Sequence, residues 1–178
     1  MNRTWIVGSA LALLCTAPTL VRGDHQDNAV GTMIARADLT PAPGSQVSGT
    51  VTFFQQGDKV RVVADVRGLQ PNASHGFHIH EKGECAAPDF ASAGAHFNPN
   101  GQPHAGPDMR ERHAGDLGNL ETGGSGRTYK RITVDNITLG PGPNSVIGRG
   151  IIVHAKVDDF TTQPTGNAGG RIGCGVVK

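Results

Sequence analysis

Apolar residues in this chain recur at every second position far more than at helical spacing, and that period limits the fold before anything else does. In Lys59–Arg67, Val60, Val62, Ala64 and Val66 share one face, the two-residue repeat of a half-buried strand. Val47, Gly49, Val51 and Phe53 repeat the pattern upstream, and Gly57-Asp58 between the runs is a turn signal, so the two segments predict a hairpin. Further strands are expected over Ala29–Ala37, Ser74–Glu81, Ala114–Leu120, Arg127–Val134, Gly150–Ala155 and Arg171–Val177. With 26 glycines and 11 prolines punctuating the chain, no helix beyond a turn or two is expected. Eight short strands with glycine-rich turns predict an all-β fold, an eight-stranded antiparallel sandwich or closed barrel.

Two long stretches interrupt the strand spacing, Lys82 to Arg112 and Lys156 to Gly170. Loops of that length are usually functional or disordered, and both are bounded by histidines. Six of the eight histidines fall into spaced clusters: His78 and His80 in GFHIH, His96 in AHFNP, His104, His113 with Asp116 in RHAGD, and His154 in IIVHAK. Neutral imidazole suits copper and zinc, and a carboxylate among imidazoles suits zinc. His78 and His80, two apart in a strand, project from one face and can meet one ion. His154 ends another strand and can join them. Three or four imidazoles with an open position describe a copper site able to change oxidation state. His104, His113 and Asp116 form a mixed nitrogen and oxygen set, which His96 brings to the four ligands of a structural zinc. His75, at an odd offset from His78, reads as a structural hydrogen-bonder, and His25 as a solvated tail residue.

The remaining composition narrows the context. Residues 1–23 have a positive start at Arg3, an apolar run from Ile6 to Leu14 and small or polar residues after it. That is the shape of a secretory signal peptide, too short to span a bilayer, with a cut expected after Gly23. Residues 24–178 then form one domain, large enough to bury about two thirds of its unfolded surface. Localisation is expected to be exported, periplasmic or secreted. The net charge of +1 gives no electrostatic argument for nucleic acid or an anionic membrane, and the mature chain holds no further membrane-spanning run. Cys15 leaves with the signal, so Cys85 and Cys174 remain as an even pair, which an oxidising compartment joins as a disulfide. Two cysteine metal ligands are the alternative, but neither has a second cysteine at ligand spacing.

The strings GFHIHEKGEC, AGAHFNPNGQPHAGP, ERHAGDLGNL, GIIVHAKVDD and GNAGGRIGCGV together resemble the copper/zinc superoxide dismutase family, over about Val30 to Val177. The resemblance implies a Greek-key barrel with two long functional loops. It assigns copper to His78, His80, His96 and His154, and zinc to His96, His104, His113 and Asp116, with His96 shared between the ions. It implies that Asp158 hydrogen-bonds one ligand of each metal, that Thr165 narrows the channel, and that Cys85 and Cys174 are the family disulfide pair. It also makes Arg171 and His96 the catalytic residues. Arg171 would pair with the superoxide anion, while His96 takes up and returns a proton in a ping-pong dismutation to dioxygen and hydrogen peroxide. The short stretch between His154 and Arg171, its lack of an acidic cluster, and the early position of Cys85 after His80 resemble the exported bacterial branch. Steering is therefore not copied from the eukaryotic type, and Lys82 is a candidate contributor. The chief alternative is a non-enzymatic exported copper/zinc-binding protein; a third reading is a single structural zinc in an adhesion-type sandwich. Oligomeric state is open, a homodimer included.

Overall fold

The computed structural model describes residues 34–178 together with Met1. Residues 2–23 of the expected signal segment, His25 and residues 29–33 lie outside the described residues. Eight strands follow in order: β1 Ile34–Pro41, β2 Ser48–Gln56, β3 Lys59–Arg67, β4 Ser74–His80, β5 Asp116–Glu121, β6 Thr128–Val134, β7 Gly150–His154 and β8 Arg171–Val176. A 3₁₀ turn at Ala91–Ala93 is the one helical element among the described residues. β3 has the boundaries its alternation predicts. β1 runs further than its own pattern suggests, because β2 pairs with it from Ile34 to Leu39 and β8 takes over at Thr40 and Pro41. A strand's end is set by its partners, which periodicity within the strand does not reveal.

All strand pairs are antiparallel, in the order β5-β4-β7-β8-β1-β2-β3-β6. The two edge strands β5 and β6 come into contact across the gap, which nearly closes the sheet into a barrel. Connections that pass over neighbouring strands, β3 to β4 and β6 to β7, give the expected Greek-key order. The interior is filled from every strand, with Val51, Phe53, Val60, Val62, Val66, Phe77, Ile79, Leu117, Leu120, Ile151 and Val153 buried together. Each such side chain contributes about 1.5–3 kcal/mol by leaving water.

The site follows from strand alternation. Phe77 and Ile79 of β4 face the core, so His78 and His80 project from the opposite, outer face. On β7, Ile151 and Val153 point inward, while Ile152 packs outside with Phe90, Ala93 and Cys174. The segment between β4 and β5 and the segment between β7 and β8 fold over this outer face. Cys85 and Cys174 are joined by a disulfide with Cα atoms 5.7 Å apart, closing 89 residues of sequence and fixing the first long loop to β8. Among the described residues no helix is long and apolar enough to cross a membrane.

Candidate metal centre

Seven side chains converge into two buried groups that share one ring. His78, His80, His96 and His154 form the first and His96, His104, His113 and Asp116 the second, with the ligand-type atoms of each group within 4.8 Å of one another. Three members of the first group stand on strands: β4 supplies His78 and His80, and β7 supplies His154. In the second only Asp116 does, at the start of β5, where it is the register partner of His78. His96 reaches the strands through an isolated bridge to His80.

Each ring of the first group is turned by a hydrogen bond at its far nitrogen. Nδ1 of His80 donates to the Gly94 carbonyl at 2.9 Å and Nδ1 of His154 to the Gly169 carbonyl at 3.1 Å. Nε2 of His78 donates to Asp158 Oδ2 at 2.7 Å. The opposite nitrogens, His78 Nδ1 and Nε2 of His80, His96 and His154, are buried and make no hydrogen bond. Four orphaned acceptors in one place would be costly unless a cation meets them, and their lone pairs are free to do so. Burial, with the neighbouring rings, pushes the imidazoles down to about 2 at His80, about 3 at His154 and about 4 at His96. All three are therefore neutral at pH 7, the form a metal ligand needs.

The second group has the dimensions of a tetrahedron. Asp116 Oδ1 lies 3.0 Å from Nδ1 of His96, 3.0 Å from Nδ1 of His104 and 3.4 Å from Nδ1 of His113, and the Nδ1 atoms of His113 and His96 are 3.4 Å apart. Four donors about 2.0–2.1 Å from a zinc ion stand about 3.3 Å from one another, so the set fits that ion. Asp116 Oδ2 is already taken by the backbone N–H groups of Ala105 and His113, which leaves Oδ1 as the ligand. Burial opposes ionisation of Asp116, yet hydrogen bonds from His104, His113 and His96 hold its carboxyl far below the usual range. Burial likewise opposes a charge on His104, but the carboxylates of Asp116 and Asp158 carry that ring up to about 9. Two buried anions thus demand positive charge at this point, as a proton on His104 or as a metal ion that displaces it.

Asp158 spans both groups: its Oδ2 accepts from His78 and its Oδ1 accepts from His104 Nε2 at 2.9 Å. Its backbone is clamped in turn, since the Asn119 amide donates to the Asp158 carbonyl and accepts from its N–H. Two glycines make room. A Cβ on Gly76 would come 3.1 Å from His78 Cε1 and 2.8 Å from Ala168 Cβ, and one on Gly166 would overlap Asp158 Oδ1 and lie 2.6 Å from His104 Nε2. Arg171, half-buried, donates through Nη1 to the Phe90 carbonyl at 2.5 Å and through Nη2 to the Gly94 carbonyl at 2.6 Å. Gly94 therefore joins Arg171 to His80. His75 is buried and donates from Nδ1 to the His154 carbonyl at 2.9 Å, as its expected structural role requires. Thr165 is exposed in the loop before Gly166, and Lys82 is exposed after β4. Asn119, Gly94, Gly166 and the side chain of Gln163, which brackets the His104 backbone, were not legible beforehand, because none belongs to a local pattern.

A nearly closed eight-stranded barrel bearing two histidine groups joined by a common ring defines a metalloprotein of the dinuclear type. The profile of copper/zinc superoxide dismutase matches residues 47–177, and the chain belongs to that family. The protein named superoxide dismutase [Cu-Zn] of Paramecium bursaria Chlorella virus 1 is 44% identical over 137 residues, 74% of this chain and 72% of its own. Among solved structures, a double mutant of a SOD-like protein from Bacillus subtilis superposes with a TM-score of 0.72 at 37% identity, covering 79% of this chain and 95% of that one. The clock protein EA4 superposes with a TM-score of 0.75 at 38% identity, covering 82% and 94%.

Proposed function

We propose that the chain is an exported superoxide dismutase using copper and zinc, of the type found in the bacterial branch. Residues 1–23 would direct export and residues 24–178 would form the enzyme in the periplasm or outside the cell. His78, His80, His96 and His154 hold copper; His96, His104, His113 and Asp116 hold zinc. The single observation that carries this is the position of His96. Its Nδ1 faces Asp116 and His113, while its Nε2 is one of the four buried nitrogens of the first group that have no partner.

Copper, when bound, supplies the one-electron couple that lets two superoxide ions and two protons become dioxygen and hydrogen peroxide. The chain's own residues supply the rest. The shared ring of His96 holds a proton at Nε2 in one half of the cycle and gives it up in the other, with the second proton coming from water. Asp116 fixes the orientation of that ring by engaging its other nitrogen. The two carbonyls that hold Arg171 leave its charge fixed beside the ligands rather than swinging into solvent, where it orients a small anion. Thr165 narrows the approach. Fixed positive charge at a cleft raises on-rates by about 10–10³-fold.

Family membership by itself does not decide between enzyme and metal carrier, since the similar structures include a SOD-like protein and a clock protein. The presence of every copper-side imidazole and of Arg171 favours the enzyme over a non-enzymatic copper/zinc-binding protein. The test is superoxide decay with the purified protein, metal-loaded and then stripped by chelator. Activity is expected only in the loaded form. Its absence in both states refutes the proposal.

A further inference from the structure

His104 is held more thoroughly than a metal ligand on a loop needs. Its ring spans Asp116 Oδ1 and Asp158 Oδ1. Its backbone lies outside every strand, yet both of its peptide groups are engaged. The His104 N–H donates to Gln163 Oε1 at 2.8 Å, and Gln163 Nε2 donates to the His104 carbonyl at 2.7 Å. One side-chain amide thus makes the paired contacts that a neighbouring strand would make. A second contact, 3.4 Å from Nε2 to the Thr161 carbonyl, helps fix the amide.

The same short segment then closes over the ring. Gly166 sits so near Asp158 Oδ1 and His104 Nε2 that any Cβ there would collide, and its N–H is tied back to the Thr162 carbonyl at 2.7 Å. Phe160 covers the next turn, with its ring 3.3 Å from where a Cβ on Gly106 would stand. These residues lie between His154 and Arg171, so the stretch that grips His104 is the one that joins β7 to β8.

We propose that Gln163 is a positioning residue: its amide latches the backbone of His104 to the segment between β7 and β8, independently of the Asp158 link, and thereby slows release of the zinc-side ion. This rests on the zinc assignment proposed above. Gln163 touches no ligand atom and no substrate; it acts through the main chain of His104. Water replaces its two hydrogen bonds when the latch is cut, so the ligand's backbone is freed while its ring chemistry is untouched.

The experiment uses the full chain with Gln163→Met, which keeps the length of the side chain and removes both hydrogen bonds. Zinc release to a chromogenic chelator is followed by stopped flow, alongside the visible spectrum of protein carrying cobalt(II) at the zinc site and the melting temperature of the metal-free form. Outer partners of metal ligands are worth about 10–100-fold in affinity. The expected result is zinc release about tenfold faster than wild type, with a shifted cobalt spectrum and a metal-free melting point within a few degrees of wild type. A merely structural role would lower the metal-free melting point and leave both metal readouts unchanged, and that result overturns the proposal. Wild-type release and spectrum in Gln163→Met, with superoxide dismutation intact in the wild type, overturn this proposal alone. A wild-type chain that takes up no zinc overturns both it and the zinc assignment.

Discussion

Gly166→Ala is the smallest change expected to take the two metal groups apart. Gly166 has φ +65°, a left-handed conformation that costs a residue with a Cβ about 1–2 kcal/mol. The added methyl would also overlap Asp158 Oδ1, so the carboxylate must leave its place between His78 and His104. At least the two hydrogen bonds from His78 and His104 to a charged acceptor are then lost, at about 1.5–3 kcal/mol each. The low ends of these ranges already sum to about 4 kcal/mol, which for a chain of this size lowers the melting point by about 8–16 °C.

Thermal melts of chelator-stripped protein isolate this effect from metal binding. Asp158→Ala provides the control. Without the carboxylate the methyl has somewhere to go, and only the backbone term of about 1 kcal/mol should remain. The double-mutant cycle should therefore show a coupling of about 3 kcal/mol between positions 158 and 166. Additive losses in the double variant would refute the claim that Gly166 acts through Asp158, and a wild-type melting point in Gly166→Ala would refute the clash itself.

The metal-free protein should be most stable near pH 6.5 by denaturant titration. His80, His154 and His96 have folded values of about 2, 3 and 4, so below pH 6.5 the unfolded chain binds protons the fold refuses, and each ring loses up to about 1.4 kcal/mol per pH unit. His104, raised to about 9, contributes stability present below pH 6.5 and lost as the pH rises through 9; a flat profile from pH 5 to 9 contradicts both shifts. Arg171→Gln should lower the second-order rate of superoxide decay about tenfold or more at low ionic strength while metal content, read by mass spectrometry, stays at the wild-type level. An unchanged rate removes Arg171 from the mechanism. Replacing Cys85 and Cys174 by serine opens a closure of 89 residues and should cost about 4–5 kcal/mol on the chain-entropy account; an unchanged denaturation midpoint would show that the bond constrains little of the unfolded chain.

Local periods carried what lay on strands. The two-residue repeat of β3 gave its ends, and the spacing of His78 and His80 on β4 gave their common face, because both are properties of one strand. The end of β1 was missed because pairing with β2 and β8 decides it. Asp158 and Arg171 could be singled out through family resemblance but not from spacing, since a lone carboxylate or guanidinium on a loop has no period. Asn119, Gln163 and the Gly94 carbonyl were silent for a related reason. Gln163 meets His104 across 59 positions and Asn119 meets Asp158 across 39, and no motif in either segment announces the other.

The division of ligands between strands and loops makes the two metal groups unequal. On the proposed copper side, His78, His80 and His154 are fixed by the β4 and β7 ladders, which rest on the buried apolar core. On the proposed zinc side only Asp116 stands on a strand; His96, His104 and His113 sit on the segment between β4 and β5, whose buried apolar side chains are Phe90, Ala93, Phe97 and Ala114. Polar and covalent links add to that packing: the grip of Asp158 and Gln163 on His104, the carbonyls that hold Arg171, and the disulfide to β8. The hydrogen bonds among them are worth about 0.5–3 kcal/mol each and can open singly, whereas a buried ladder opens with the barrel. Damage to either loop should therefore reach the zinc-side group first and leave the three strand-borne imidazoles in place. His96, the one ring common to both groups, is where loss of the loop becomes loss of the copper side.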